Sequence, residues 1–180
     1  MHNVGHRHQL LLGTSVVRPN PAIQSGRAAS SHVDQRTRQL VTPYGLLTHA
    51  AAFSAAAEAV HSSKLEDPLP KYFLWGRTIE LALKSFLLAE GRTVTELRSK
   101  AFGHDLNSLL LDARARGISK LLGLNAIHIG IVQLLNFDYM SKRFEYREAG
   151  AKYHRPDITM TRQLIKRLLR GVEFHLKSQQ

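Results

Sequence analysis

The fold is decided by residues 71–90, KYFLWGRTIELALKSFLLAE. Wound at 3.6 residues per turn, this segment places apolar side chains on nearly every face. A helix that is apolar nearly all round is one that other helices cover. Gly91 follows and predicts the end of the helix, because glycine readily adopts the left-handed conformation of helix C-termini. We therefore expect residues 71–90 to form the central helix of a bundle.

Three residues inside this helix carry further predictions. Gly76 costs about 1 kcal/mol relative to alanine in a helix, so we expect it to allow close approach of another helix. Glu80 and Lys84 are four residues apart in the order that favours an ion pair. On so buried a helix, both side chains are also expected to contact other segments.

Helix-initiating residues mark further helices on both sides of the central one. Hydroxyl and carboxylate side chains cap helix N-termini, and proline suits the first turn. These starts are Thr42–Pro43, Thr93 with Glu96 as a capping box, His104 or Asp105, and Pro156–Asp157. Before the last of them, a further helix that ends near Tyr139 is marked by Ile127, Ile131, Leu134 and Leu135. Since no segment alternates like a strand, we predict an all-α, up-and-down bundle of four long helices plus a short one.

Composition excludes several classes of protein. The chain has 180 residues, a net charge of +11 and no cysteine. Disulfides, thiolate metal sites and a cysteine nucleophile are therefore excluded. No apolar run approaches the roughly 18 residues of a membrane span. The positive charge suits a polyanionic partner, although solubility alone also accounts for it.

The first 40 residues differ from the rest of the chain. They combine histidines, prolines and a Ser/Ala/Gly-rich patch with a single acidic residue, Asp34. We predict that residues 1–40 are a disordered or non-native N-terminal extension, with a transit peptide as the alternative, and that residues 41–180 are one helical domain.

The central helix and the segment after it resemble the HEPN superfamily of small helical bundles. The resemblance covers roughly residues 42–178. It rests on Trp75, Gly76, Glu80 and Lys84 in the first block, and on Gly103-His104-Asp105-Leu106 in the second. It implies a HEPN-like bundle, often homodimeric, that is either a ribonuclease of toxin–antitoxin or defence systems or an inactive scaffold.

The family's ribonuclease signature is an arginine followed by a histidine after about four to six residues. Arg98 and His104 have this spacing, with five residues between them. The resemblance implies that His104 transfers a proton and that Arg98 binds phosphate, in a reaction that needs no metal. Histidine titrates near neutral pH, and the planar guanidinium of arginine donates paired hydrogen bonds to phosphate oxygens. Both residue types therefore suit these roles. Two copies of His104 across a homodimer would supply acid and base.

A simpler interpretation stays open. His104 and Asp105 then only cap a helix, and Arg98 is solvated or paired with Asp105. The protein would in that case be a non-catalytic HEPN-like module that dimerises or binds a partner protein.

The excess positive charge lies before residue 58 and after residue 141, away from Arg98 and His104. Clustered lysine and arginine residues bind phosphates in a sequence-independent, salt-sensitive way. The candidate RNA or polyanion-binding residues are Lys142, Arg143, Arg147, Arg162, Lys166 and Arg170. A solvated face is the alternative interpretation of these charges.

We expect no cofactor and no metal site. The expected partners are RNA, a second copy of the chain, and an antitoxin or a nucleotidyltransferase, the last two being implied by the resemblance. The expected location is the cytoplasm, without a membrane.

Overall fold

The computed structural model describes residues 41–62, 68–146 and 148–180. The predicted N-terminal extension, residues 1–40, and the candidate polyanion-binding residue Arg147 lie outside the described residues. Within the described ranges the chain is all-helical and has no strand, which confirms the all-α part of the predicted fold class.

The described ranges form seven helices, which fall into long, medium and short ones. Four have 15 to 21 residues: α1 (Pro43–Ser62), α2 (Leu69–Ala89), α6 (Ala126–Met140) and α7 (Ile158–Ser178). One, α4 (Leu106–Ala115), has 10 residues. Two have five residues each, α3 (Val94–Arg98) and α5 (Ile118–Leu122).

The helix starts follow the capping residues read from the sequence. Thr93 and Glu96 form the predicted capping box at α3. Asp105, and not His104, caps α4 by accepting from the backbone N–H groups of Asn107 and Ser108. Asp157 caps α7. These contacts satisfy backbone donors that the first turn of a helix leaves without a partner.

The central position of α2 is confirmed, since it packs against α1, α4, α6 and α7. Its core side chains include Trp75, Ile79, Leu83 and Phe86, which are all buried. Gly91 has a positive φ of 90° just after the helix, as predicted for its end. The apolar core therefore surrounds α2 on several sides, and polar groups on α2 have to find partners inside the bundle.

Two of the four apolar residues that mark α6 in the sequence lie outside the core. Ile127 is largely exposed and Leu134 is also exposed, whereas Ile131 and Leu135 are buried. The reason is that α6 contacts the bundle through a narrow face only, so that apolar residues to one side of this face point to solvent.

Candidate functional site

Glu80 is a buried carboxylate at the centre of a polar network between α2, α6 and the turn before α4. Its side chain is only 1% exposed. Oε1 accepts hydrogen bonds from Lys84 Nζ at 2.7 Å and from Arg77 Nη1 at 2.9 Å. Oε2 accepts from Tyr139 Oη at 2.6 Å and contacts His104 Nδ1 at 3.0 Å. The prediction that Glu80 pairs with other segments as well as with Lys84 is thus confirmed.

These partners keep Glu80 ionised. Burial by itself raises the pKa of the Glu80 carboxyl, but the charge and hydrogen bond of Lys84, together with the hydrogen bonds of Tyr139 and His104, outweigh burial and lower the pKa. The pKa of Tyr139 is raised, first by burial and then by the neighbouring Glu80 charge, so Tyr139 stays a hydrogen-bond donor.

His104 is oriented by this carboxylate. An ionised carboxylate only accepts hydrogen bonds, so the contact between Nδ1 and Glu80 requires the proton of His104 to lie on Nδ1. In neutral His104, Nε2 then carries the free lone pair. The side chain of His104 is 53% exposed, and Nε2 has no hydrogen-bond partner among the described residues. This arrangement leaves Nε2 available for proton exchange.

A cavity of about 410 Å³ opens beside His104 and is called the His104 cavity below. Cationic, imidazole and apolar side chains line it together with Glu80. Its lining residues are Val41, Leu46, His49, Arg77, Glu80, Leu81, Lys84, Val94, Leu97, Arg98, Gly103 and His104. The structure therefore brings together the two candidate catalytic residues, Arg98 and His104, with two further cations, Arg77 and Lys84.

Arg98 is solvated, which is one of the two environments that the simpler interpretation gave it, and it is not paired with Asp105. Arg98 is exposed at the last residue of α3 and has no carboxylate partner among the described residues. Asp105, its suggested partner, instead caps α4 and accepts from Asn136 Nδ2 at 3.0 Å. The Arg98 guanidinium thus remains available for a ligand in the His104 cavity.

The residues that carry the family resemblance form one connected arrangement. A Cβ atom at Gly76 would lie 2.3 Å from Cδ2 of Tyr139, so the absence of a side chain lets the Tyr139 ring reach Glu80. Lys84 Nζ donates to Glu80 and, at 2.6 Å, to the carbonyl oxygen of Gly103. The backbone beside His104 is therefore tied to the same carboxylate network. The predicted close approach at Gly76 is confirmed.

Trp75 has a structural position rather than a ligand-facing one. It is fully buried and packs edge-on against Tyr72, with 5.6 Å between ring centroids. The Nζ atom of buried Lys71 lies 4.8 Å from the Trp75 ring centroid. Trp75 is therefore part of the core and not a platform for a base.

A second carboxylate–histidine pair joins α6 to the segment before α7. Asp138 is fully buried, and its Oδ1 pairs with Arg143 Nη1. Its Oδ2 accepts from the backbone N–H of His154 and lies 3.3 Å from His154 Nδ1. The His154 ring packs on Phe137, with 4.2 Å between ring centroids. This pair fastens the segment around His154 onto α6.

The candidate polyanion-binding residues differ in their contacts. Arg143 is held by Asp138, and Arg162 Nε contacts both carboxylate oxygens of Glu58 at 3.0 and 3.1 Å. Lys142 is exposed in the turn after α6. Lys166 and Arg170 line a common cavity. None of these residues lines the His104 cavity.

Two residues of the His104 cavity whose side chains can carry a charge were not singled out from the sequence. His49 comes from α1, and Arg77 lies one turn before Glu80 on α2. Arg77 carries a sequence signal, because it stands three residues before Glu80 on the same helix. His49 carries none, since its place beside His104 depends on how α1 packs against α2.

In the described ranges, no group of three or more His, Asp or Glu side chains is arranged to hold a metal ion. No helix in these ranges combines the length and the apolar character needed to cross a bilayer. No family model, curated protein or solved structure matches the chain.

Proposed function

We propose that the protein is a HEPN-like, metal-independent endoribonuclease that cleaves RNA at the His104 cavity. One observation carries the proposal: the buried, ionised Glu80 fixes the tautomer of the half-exposed His104, and Arg98 lines the same cavity. A carboxylate behind an imidazole is an arrangement that suits proton transfer, because it orients the ring and stabilises its charged form.

The proposed reaction uses the 2′-hydroxyl of RNA as the nucleophile. A base removes the 2′-hydroxyl proton while the 2′-oxygen forms a bond to phosphorus. The bond from phosphorus to the 5′-oxygen breaks, and an acid protonates that oxygen. His104 takes one of these two roles and Arg98 contacts the phosphate oxygens, where negative charge increases. Because the 2′-hydroxyl is required, DNA is not a substrate.

Two sources offer the second proton-transfer group. The resemblance implies His104 of a second copy, as in a homodimer. The cavity itself contains His49 from α1. We include His49 in the proposal because it lines the same cavity as His104 and requires no interface.

The cations of the cavity support an anionic ligand. Arg77, Lys84 and Arg98 line it together with one carboxylate, Glu80, whose oxygens are already occupied by side-chain partners. A phosphate group would therefore meet unbalanced positive charge. This concentration of charge is local, and the excess charge counted along the sequence does not reveal it.

The test is cleavage of a single-stranded RNA by the full chain in the presence of EDTA. We expect cleavage of RNA, products ending in a 2′,3′-cyclic phosphate, and no cleavage of the same sequence with 2′-deoxy sugars. Arg98→Ala should lower the rate about 10²-fold, a typical cost of removing one phosphate-stabilising group. Arg114→Ala, which removes an exposed arginine outside the cavity, is the matched control. Absence of cleavage by the wild type would contradict the proposal.

A second candidate function is that of a non-catalytic HEPN-like module that dimerises or binds a partner protein. Exposed apolar side chains on α6 favour this function. Ile127, Leu134, Phe137 and Met140 are all exposed on this helix. Such groups on one helix are typical of protein–protein contacts. The occupant would be a second copy of the chain, or the antitoxin or nucleotidyltransferase that the resemblance implies.

Molar mass in solution separates these occupants. If α6 forms a homodimer, light scattering should give twice the chain mass for the wild type and the monomer mass for Leu134→Ser with Phe137→Ser. A monomeric wild type would contradict the homodimer and leave a partner protein as the occupant.

A further inference from the structure

A second cavity lies between α5, the start of α6 and α7. Its volume is about 510 Å³, and we call it the α7 cavity. Its lining residues are Leu121, Leu122, His128, Gln163, Lys166, Arg167, Arg170 and Gly171. It shares no residue with the His104 cavity. Among the residues that line it there are three permanent cations and no carboxylate, so its positive charge is not neutralised from within.

The wall of this cavity is set by direct packing of α5 on the backbone of α7. A Cβ atom at Gly171 would lie 1.8 Å from Cδ2 of Leu122, so any side chain at this position would force the Leu122 side chain to move. Arg167 Nη1 donates to the carbonyl oxygens of Leu122 at 3.1 Å and Gly123 at 3.3 Å. The Arg167 guanidinium is thereby held in place, and its remaining N–H groups have no partner among the described residues.

His128 presents a donor to the same cavity. Its Nδ1 accepts the backbone N–H of Asn125 at 3.1 Å, in the capping box of α6. In neutral His128 the proton therefore lies on Nε2. Burial and then the nearby Arg167 charge lower the pKa of His128, as expected where positive charge is not neutralised.

We propose that the α7 cavity is a phosphate-binding site in which Lys166, Arg167 and Arg170 contact the phosphate oxygens and His128 Nε2 donates a hydrogen bond. Arginine offers paired N–H groups with the geometry of phosphate oxygens, and lysine adds charge. The ligand is a phosphate group, supplied either by the RNA backbone or by free phosphate. The site rests on the α7 cavity alone and does not depend on cleavage at His104.

The experiment follows the His128 imidazole by NMR in the full chain. Inorganic phosphate is added in one titration, and a short single-stranded RNA without terminal phosphates is added in the other, both at low salt. We expect a saturable shift of the His128 signal and an increase in the pKa of His128, because an adjacent anion favours the imidazolium form. Saturation by inorganic phosphate identifies a free-phosphate site, and saturation by RNA alone identifies a backbone site.

Two double variants test which residues bind. Lys166→Gln with Arg170→Gln should weaken binding about tenfold or more, since charge-assisted hydrogen bonds are lost. Arg114→Gln with Lys120→Gln removes the same net charge from exposed positions outside the cavity and should leave binding nearly unchanged. Equal weakening by both double variants, or no saturable shift with either ligand, would overturn the proposal.

Discussion

Glu80 and Asp138 are both buried carboxylates that contact the Nδ1 atom of a partly exposed histidine. His104 is 53% exposed and His154 is 44% exposed. The two pairs differ in their surroundings. Glu80 is bonded by side chains from several segments, and its histidine lines a cavity with Arg98. Asp138 is bonded by Arg143 and by the backbone of His154, and the His154 ring is covered on one face by Phe137.

This difference shows that a carboxylate–histidine contact is not a functional site by itself. The Asp138 pair also holds the backbone N–H group of His154 and thereby fixes a loop. The Glu80 pair instead lines a cavity together with cations that suit a phosphate. The predictions below separate these two roles.

The largest expected effect comes from neutralising either carboxylate. Glu80→Gln leaves Lys84 without its charged partner. Asp138→Asn removes the buried partner of Arg143 and leaves it only the exposed Glu148, at 3.8 Å. Breaking a buried ion pair from one side costs about 3 kcal/mol or more, so both variants should lose comparable stability in urea denaturation. RNA cleavage should fall in Glu80→Gln only, when measured where both variants are folded. An equal loss of cleavage in both variants would contradict the proposed difference between the Glu80–His104 and Asp138–His154 pairs.

A smaller effect is expected from Gly76→Ala. The added methyl group would lie 2.3 Å from Tyr139 and would push the ring away from Glu80. Overpacking of this kind costs about 1–3 kcal/mol in the free energy of unfolding. Gly130→Ala is the matched control, because Gly130 is also helical and nothing lies within 4 Å of its Cβ position. This control should gain up to about 1 kcal/mol from helix propensity. If Gly76→Ala stabilised the protein as much as Gly130→Ala does, this would contradict the close approach of Tyr139 to Gly76.

Tyr139→Phe removes one donor to Glu80 and leaves the ring in place. We expect a loss of about 1–2 kcal/mol in thermal or urea denaturation, because the lone pair of a buried carboxylate loses its hydrogen bond. Tyr153→Phe, at a tyrosine whose hydroxyl accepts from the exposed backbone N–H of Glu148, should cost less. A larger loss of stability in Tyr153→Phe than in Tyr139→Phe would contradict the stabilising role of the Tyr139–Glu80 hydrogen bond.

The smallest expected effect is a difference in acid sensitivity. The lowered pKa of Glu80 means that the unfolded chain binds a proton more readily than the folded chain does. The resulting stabilisation is present above the unfolded carboxyl pKa of about 4.3 and is lost as the pH falls through the folded pKa. The free energy of unfolding should therefore fall more steeply with decreasing pH in the wild type than in Glu80→Gln. Parallel pH profiles would contradict an ionised Glu80 in the folded chain.

Local signals in the sequence predicted the helices well. The Thr93–Glu96 capping box, the Asp157 cap and the glycine after α2 depend on neighbouring residues only, and all three are observed. The five-residue helix α5 was missed because it is too short to show a period. The exposure of Ile127 was missed because periodicity does not show how wide a contact face is.

The site was predicted less completely, since most of its contacts join distant segments. The spacing of Glu80 and Lys84 indicated their pairing. The contacts of Glu80 with His104 and Tyr139 span 24 and 59 residues and follow from the packing of α2 against its neighbours. The basic residues after position 141 looked like one set in the sequence, yet Asp138 and Glu58 hold two of them in separate places.

The central claim is that the Glu80-held histidine, and not the Asp138-held one, transfers a proton during RNA cleavage. The most direct measurement compares the cleavage rates of His104→Asn and His154→Asn with that of the wild type, in EDTA and with folding checked by circular dichroism. We predict that His104→Asn lowers the rate about 10²-fold or more, as is typical for loss of a general acid or base, and that His154→Asn cleaves at nearly the wild-type rate. Equal rates for the two variants, or no cleavage by the wild type, would contradict the claim.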